Sequence, residues 1–282
     1  MSTTSVAGRR PTWAREFIVG YTSGAAQANE IPSLHGGIAN STIHFEASLF
    51  PRYSDFLAHA HDAWDYIEDN HEGRAVRKSY NTVTGDFSLK IMPTWVHNCI
   101  QPWQMECSSA WSENGLITRE EFRELHMYAG TTLNFDQGPY RGSRKDPDLF
   151  ILPTTCLLPC LNMESGWSEG LTEMENDMDM LLVGGNGAIK TVFIIEWRKQ
   201  SDNYHVSGVV KVYKLDNDGM PVQEGPDQTC GWLNQVIGVA RGYIFWGTPF
   251  QNRNPCDILE YSLDILREIA TIALDRMGLV PA

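Results

Sequence analysis

The stretch KDPDLFILPTTCLLPCLNMESGWSEG, residues 145–170, combines two apolar segments with two carboxylates. Asp148 precedes the first apolar segment, and Glu164 lies within the second. The spacing between them is sufficient for two strands and a tight turn, which predicts a β-hairpin. A buried carboxylate is costly unless it is paired, hydrogen-bonded or bound to a metal. The pattern therefore predicts that both carboxylates belong to one shared polar site.

The segments around this hairpin predict alternating helices and strands. Thr118 and Glu121 form a capping-box pattern at the start of one helix. Residues 188–199 are a continuous apolar run rich in β-branched residues, which is typical of a buried central strand. We also expect helices at residues 54–70, 118–130, 168–185 and 257–277, and strands at 41–50, 84–95 and 204–215. This order predicts an α/β domain with a mixed β-sheet flanked by helices.

The composition along the chain predicts one large domain behind an N-terminal arm. Residues 1–40 are rich in Ser, Thr, Gly and Ala and have weak periodicity, so we expect an arm that is partly disordered. No linker or internal repeat divides the remainder, so residues 41–282 are expected to form a single α/β domain.

The charge balance bears on the class of partner. The chain has 35 acidic and 22 basic side chains and a formal net charge of −13. Nonspecific binding to a phosphate backbone depends on Lys and Arg, so this balance disfavours it without excluding a local basic groove. No secretory signal and no run of 18 apolar residues is present, which predicts a cytosolic or nuclear protein without a membrane partner. The six cysteines lack the paired spacing of a zinc site, which predicts buried free thiols.

The hairpin also predicts a metal half-site. Adjacent antiparallel strands lie about 5 Å apart, so residues that face each other can converge on one cation. Mg²⁺ is usually held by one or two carboxylates together with water and substrate phosphate. Asp148 and Glu164 therefore predict a half-site for Mg²⁺ or Mn²⁺.

These segments resemble a known superfamily. The phrase FDQGPYRGSRKD followed by PDLFILP and LNMESGWSEG resembles the core of the PD-(D/E)XK nuclease-like superfamily, and is closest to a fungal branch with the phrases GPYxGSxKxPD and ExGWSES. The resemblance covers residues 115–215, roughly a third of the chain. It implies a restriction-endonuclease-like core with an N-terminal helical and extended elaboration.

The same resemblance implies roles for particular residues. Asp148 and Glu164 occupy the two metal-ligand positions, and Glu121, or its neighbours Glu120 and Glu124, supplies an extra acidic group. In hydrolases of the superfamily, bound Mg²⁺ or Mn²⁺ activates water and stabilises a phosphorane-like transition state. The chain departs from the motif at Gly166, where the final lysine belongs. The candidates for a displaced lysine, listed in chain order, are Lys190 and Lys199.

Three functions remain open on the sequence. The first is a metal-dependent phosphodiester hydrolase that acts on nucleic acid and uses Asp148 and Glu164. The second is an enzyme on the same fold that converts a small molecule, for example in fungal secondary metabolism, with the carboxylates as acid/base or anchoring groups and no metal. The third is a catalytically silent binding protein, in which the carboxylates would be paired with Arg or Lys. A nuclease predicts a positively charged groove, whereas a small-molecule enzyme predicts an enclosed pocket lined by aromatic residues and Met.

Overall fold

The computed structural model describes the part of the chain that carries the candidate site. The described residues are 41–46, 76–91, 94–229, 235–246 and 252–282, together with the single positions 54, 58 and 61. The chain divides into two units, one made of residues 1–39 and 46–74 and the other of residues 40–45 and 75–282. The predicted arm and all but three positions of the predicted helix at 54–70 lie outside the described residues. The second unit carries the candidate site.

The elements of the described residues are numbered here in chain order. The strands are β1 (Ser41–Glu46), β2 (Val76–Asn81), β3 (Asp86–Ile91), β4 (Leu125–Tyr128), β5 (Leu133–Asn134), β6 (Arg144–Lys145), β7 (Leu149–Pro153), β8 (Leu161–Trp167), β9 (Thr191–Lys199), β10 (His205–Leu215), β11 (Pro221–Gln223), β12 (Gln228–Thr229), β13 (Val236–Ala240), β14 (Ile258–Ser262) and β15 (Val280–Pro281). The α-helices are α1 (Ile100–Glu113), α2 (Arg119–Glu124), α3 (Leu171–Gly184), α4 (Arg241–Ile244) and α5 (Leu263–Asp275). Short 3₁₀ turns at His97–Cys99 and Ser168–Gly170 precede α1 and α3.

The larger sheet of the described residues is mixed. Its strand order is β11-β10-β9-β8-β7-β4, and β12 and β15 also pair with β10. Strands β8 and β9 are parallel and are joined through α3, whereas β7 and β8 form an antiparallel hairpin. Parallel neighbours require a crossover connection, which α3 supplies. The expected mixed α/β sheet flanked by helices is confirmed.

Helices cover both faces of this sheet, so the side chains that alternate between the two faces of its central strands are buried on either side. Phe193 and Ile195 of β9 pack in one cluster with apolar residues of α1 and α5. Val192 and Ile194, which point to the opposite face, pack with the apolar residues of α3. A strand buried on both faces reads as a near-continuous apolar run, as this one does. Among the described residues, no helix is both long and apolar enough to cross a membrane.

A second sheet of the described residues has the order β1-β3-β2-β6-β5. Its central strand β2 pairs with β6, and Ser79 lies opposite Lys145 in that pair. The two strands β5 and β6 are each only two residues long, so no periodic pattern marks them in the sequence. This sheet matters for the site because it presents basic side chains toward the hairpin β7–β8.

The predicted helix at 118–130 is shorter than expected. The capping box of Thr118 and Glu121 is present, with both reciprocal hydrogen bonds, but the helix ends at Glu124. Residues 125–128 form β4, which pairs with β7 from Leu125 opposite Pro153. Pairing with the sheet edge therefore overrides the helical periodicity of this segment.

The predicted helix at 257–277 begins later than expected. Residues Ile258–Ser262 form β14, which pairs with β13, and α5 begins at Leu263. In β14 exposed and buried side chains alternate, with Leu259 and Tyr261 buried. This alternation has the period of a strand.

Candidate active site

The two predicted carboxylates face each other across the hairpin β7–β8. Leu149 pairs with Met163, so the next position along each strand places Asp148 opposite Glu164. Both side chains are fully enclosed, at 1% and 0% exposure. The backbone N–H of Ser165 donates a hydrogen bond to Asp148 Oδ2 over 2.9 Å, which fixes the Asp148 carboxylate against β8.

A lysine that the sequence did not single out lies at this pair. Lys145 Nζ is 3.1 Å from Glu164 Oε2 and 2.6 Å from Asp177 Oδ2. Lys145 comes from β6 and is buried. Asp177 comes from α3, and its other oxygen accepts a hydrogen bond of 2.7 Å from Ser79 Oγ. Ser79 and Lys145, which pair across β2 and β6, therefore both hold Asp177.

The charge state of Lys145 follows from opposing effects. Burial alone favours the neutral amine, but the carboxylates of Asp177, Glu164 and Asp148 outweigh it and raise the pKa of Lys145 above its ordinary value. The side chain is therefore an ammonium at neutral pH. It donates hydrogen bonds and carries a positive charge, and it does not accept a proton.

Asp148 has basic neighbours of its own. His97 Nε2 lies 3.1 Å from Asp148 Oδ2, and Arg77 Nε lies 3.8 Å from Oδ1. His97 belongs to the 3₁₀ turn before α1, and Arg77 belongs to β2. The other ring nitrogen of His97, Nδ1, is buried and has no hydrogen-bond partner among the described residues.

These side chains form what we call the charged cluster, which consists of Arg77, His97, Lys145, Asp148, Glu164 and Asp177. Its basic members come from the second sheet and the 3₁₀ turn, whereas its carboxylates come from the hairpin and α3. Buried charges are tolerated when opposite charges and hydrogen bonds compensate for the loss of water. The site is therefore assembled where the two sheets and α3 meet.

The acidic residue Asp146, in the turn before β7, has a different environment. Its Oδ1 accepts a hydrogen bond from Thr132 Oγ1 over 2.7 Å, and its Oδ2 accepts one from the backbone N–H of Lys78. Burial raises the pKa of Asp146, and these hydrogen bonds oppose the rise. The residue thus ties the turn to β2.

Glu121 lies away from the hairpin pair. Its oxygens bind Arg241 over 2.7 Å and Arg253 over 3.0 Å, and it closes the capping box with Thr118. Helix α2 leads into β4, whose first residue pairs with Pro153 at the end of β7 remote from Asp148. Glu121 is therefore a buried, doubly paired carboxylate at the other end of the strand. Its expected role as an extra metal ligand stays a prediction.

The two lysines expected from the sequence contact tryptophans. Lys190 Nζ lies 3.3 Å from the ring centroid of Trp246, and burial lowers the pKa of Lys190. Lys199 Nζ lies 5.2 Å from the ring centroid of Trp167. Lys145 Nζ, in comparison, lies 3.1 Å from Glu164 Oε2.

The surroundings of Gly166 leave little room for the lysine that the motif has at this position. A Cβ atom there would come within 3.0 Å of Met174 Sδ, so Met174 of α3 packs over the space that a motif lysine would need. Lys145 instead reaches Glu164 from the neighbouring sheet. A signal for it exists in the sequence, because Lys145 lies three residues before Asp148 within the phrase that carries the resemblance.

No protein-family model and no curated protein matches the chain.

The donor atoms of the site suit a hard divalent cation. Asp148 and Glu164 supply carboxylate oxygens, and Mg²⁺ commonly takes one or two carboxylates and completes its shell with water and substrate phosphate. No group of three or more His, Cys, Asp or Glu side chains suited to hold a metal by themselves occurs within the described residues. An ion held by Asp148 and Glu164 would therefore have to share its shell with water and substrate.

Proposed function

We propose that the chain is a PD-(D/E)XK-type phosphodiester hydrolase whose reaction centre consists of Asp148, Glu164 and Lys145. The observation that carries the proposal is the 3.1 Å contact of Lys145 Nζ with Glu164 Oε2. It supplies a lysine beside the second motif carboxylate, although Gly166 stands at the position where the motif has one. Asp148 lies opposite Glu164 on the adjoining strand.

The order of the elements supports a restriction-endonuclease-like core. An antiparallel hairpin, β7–β8, carries the two carboxylates, and a helical crossover leads from β8 to the parallel strand β9. The fold class alone does not imply an activity. The proposal therefore depends on the three side chains and not on the sheet.

Asp148 and Glu164 would hold Mg²⁺ or Mn²⁺. Such an ion, when bound, lowers the pKa of a coordinated water and stabilises negative charge on the phosphoryl oxygens. The hydrogen bond from the Ser165 N–H and the contact with His97 Nε2 hold the Asp148 carboxylate in place before any ligand arrives. A carboxylate fixed in this way requires little reorganisation when it acts.

Lys145 has a role set by its charge. Because its pKa is raised, it stays protonated at neutral pH and cannot act as a general base. It can donate a hydrogen bond to the attacking water or to a phosphoryl oxygen, and its positive charge stabilises the charge that develops there. Asp177 holds the ammonium in position through the 2.6 Å contact.

A second candidate is a catalytically silent binding protein. The observation in its favour is that each carboxylate of the charged cluster lies within 4 Å of a basic side chain. This pairing is what a protein without activity is expected to show. One experiment, described next, separates the hydrolase from the silent binding protein.

The experiment measures Mn²⁺ binding by calorimetry and cleavage of labelled single-stranded DNA, double-stranded DNA and RNA. It compares wild type with Glu164→Gln and Lys145→Met, and Lys214→Met on β10 serves as a lysine control outside the cluster. We expect Glu164→Gln and Lys145→Met to reduce cleavage by about 100-fold or more, as loss of one preorganised charge does in other enzymes. The control should cleave as wild type does.

Other outcomes would redirect the proposal. Full activity in folded Lys145→Met, combined with loss of activity in Lys190→Met or Lys199→Met, would move the lysine role to that residue. A wild type that binds no Mn²⁺ and cleaves none of the nucleic acids would sink the hydrolase proposal in favour of the binding protein.

A further inference from the structure

Lys145 lies between carboxylates in the way that a bound cation would. Its ammonium contacts Glu164 Oε2 and Asp177 Oδ2 at 3.1 and 2.6 Å. The two carboxylates belong to different elements, β8 and α3, and both are buried. These oxygens are therefore less than about 6 Å apart in a region of low dielectric, where two negative charges repel strongly without a cation between them.

The geometry of Asp177 is also that of a fixed ligand. Ser79 Oγ donates to its Oδ1 over 2.7 Å, so the carboxylate is held on one side and presents Oδ2 to Lys145. Metal-binding carboxylates are commonly fixed in this manner by a hydrogen bond to the oxygen that does not bind the ion.

A second observation comes from the amide of Asn162. This residue lies two positions before Glu164 on β8, so its side chain projects from the same face of the strand. It is wholly buried, and neither its oxygen nor its nitrogen has a hydrogen-bond partner among the described residues. A buried amide without a protein partner leaves polar atoms that a water or an ion can bind. Its oxygen is a neutral donor of the kind that hard cations accept.

We propose that the ammonium of Lys145 stands in for a divalent cation at a position formed by Glu164 and Asp177. Removal of the ammonium would open a Mg²⁺ or Mn²⁺ site there, with Asn162 and water as further oxygen donors. This inference rests on the described side chains and does not require the proposed hydrolase activity. If that activity exists, the position occupied by Lys145 takes no second metal ion, and the enzyme works with the ion at Asp148 and Glu164.

The test counts bound Mn²⁺ by electron paramagnetic resonance and follows thermal unfolding with and without Mn²⁺. It compares wild type, Lys145→Ala and the double variant Lys145→Ala with Asp177→Asn. We expect Lys145→Ala to bind one Mn²⁺ more than wild type, because Glu164 and Asp177 then lack the ammonium between them. Millimolar Mn²⁺ should raise its midpoint of unfolding, because an ion that binds only the folded state stabilises it. The double variant should lose the added site.

The outcomes distinguish this inference from the proposed function. An added Mn²⁺ in Lys145→Ala, with none bound by wild type, would support the inference while the metal-dependent hydrolase fails. The same nonzero number of bound Mn²⁺ ions in wild type and in folded Lys145→Ala would overturn the inference and leave the hydrolase standing. No bound Mn²⁺ in either protein would overturn the inference and count against the hydrolase as well. If the alanine variant does not fold, Lys145→Gln, which is neutral and keeps much of the side-chain volume, takes its place with the same expected results.

Discussion

Lys145 Nζ donates a hydrogen bond of 2.6 Å to Asp177 Oδ2 across 32 residues of sequence, and both side chains are buried. Removal of one partner leaves a buried charge without compensation, which typically costs about 3–5 kcal/mol. We therefore expect Lys145→Met to lower the free energy of unfolding by about this amount in urea denaturation, because Asp177 and Glu164 both lose their ammonium.

The matched control for that substitution is Lys214→Met. Lys214 pairs with Glu224 on the partly exposed end of β10. A pair of this kind contributes about 0–1 kcal/mol, so the control should differ little from wild type. A loss in Lys145→Met no larger than in the control would contradict the view that the ammonium is essential to the cluster.

The stability of the protein should fall at alkaline pH because of Lys145. The folded state raises the pKa of Lys145 above the ordinary value of 10.5, so above that pH the folded chain retains a proton that the unfolded chain releases. The proton excess of the folded state makes stability decline as pH rises. The stabilisation is fully present below pH 10.5 and is lost as the pH climbs through the folded-state pKa.

Urea midpoints measured from pH 8 to pH 12 check this sign. Other buried groups with raised pKa, such as Tyr261 and Cys107, act in the same direction, but they are common to wild type and to Lys145→Met. The decline should therefore be shallower in Lys145→Met. Identical slopes in the two proteins would exclude Lys145 as the source.

Asn162→Leu should stabilise the protein if the amide is as unpartnered as the described residues show. A buried polar group without a hydrogen bond costs about 1–3 kcal/mol, and leucine has a similar volume without polar atoms. We expect a rise in the urea midpoint for Asn162→Leu and no rise for Asn134→Leu, since Asn134 is exposed on β5. A fall for Asn162→Leu would show that the amide holds a water or an ion whose loss costs more.

Glu121 and its neighbour Glu120 offer a matched pair. Glu121 is buried and binds Arg241 and Arg253, whereas Glu120 is exposed at the start of α2. Glu121→Gln should cost about 2–3 kcal/mol, because hydrogen bonds to charged groups contribute more than neutral ones. Glu120→Gln should cost about 0.5 kcal/mol or less, as surface substitutions do. Equal effects in urea denaturation would contradict the structural role of Glu121.

The parts of the site that the sequence predicted are those set by local pattern. Asp148 and Glu164 face each other because the apolar pattern of the two buried strands restricts their register, although the connection between them, residues 154–160, is longer than the expected tight turn. The capping box of Thr118 and Glu121 was likewise visible, since its two hydrogen bonds join residues three apart.

The parts that the sequence did not predict depend on contacts between distant segments. Lys145 reaches Glu164 because β6 pairs with β2, and a strand of two residues leaves no periodic signal. Arg77 and His97 meet Asp148 only after the second sheet and the 3₁₀ turn are in place. The early end of α2 has the same cause, because β4 forms by pairing with β7.

The distance in sequence between partners of the charged cluster has a kinetic consequence. The hydrogen bond between Ser79 and Asp177 joins residues 98 positions apart, so it closes only after β2 has docked against α3. Contacts of such long range form late in folding, because the entropy of closing the intervening chain must first be overcome. Substitutions in the cluster should therefore hasten unfolding while leaving the rate of folding nearly unchanged. The charged cluster thus affects the lifetime of the folded state more than the rate at which that state forms.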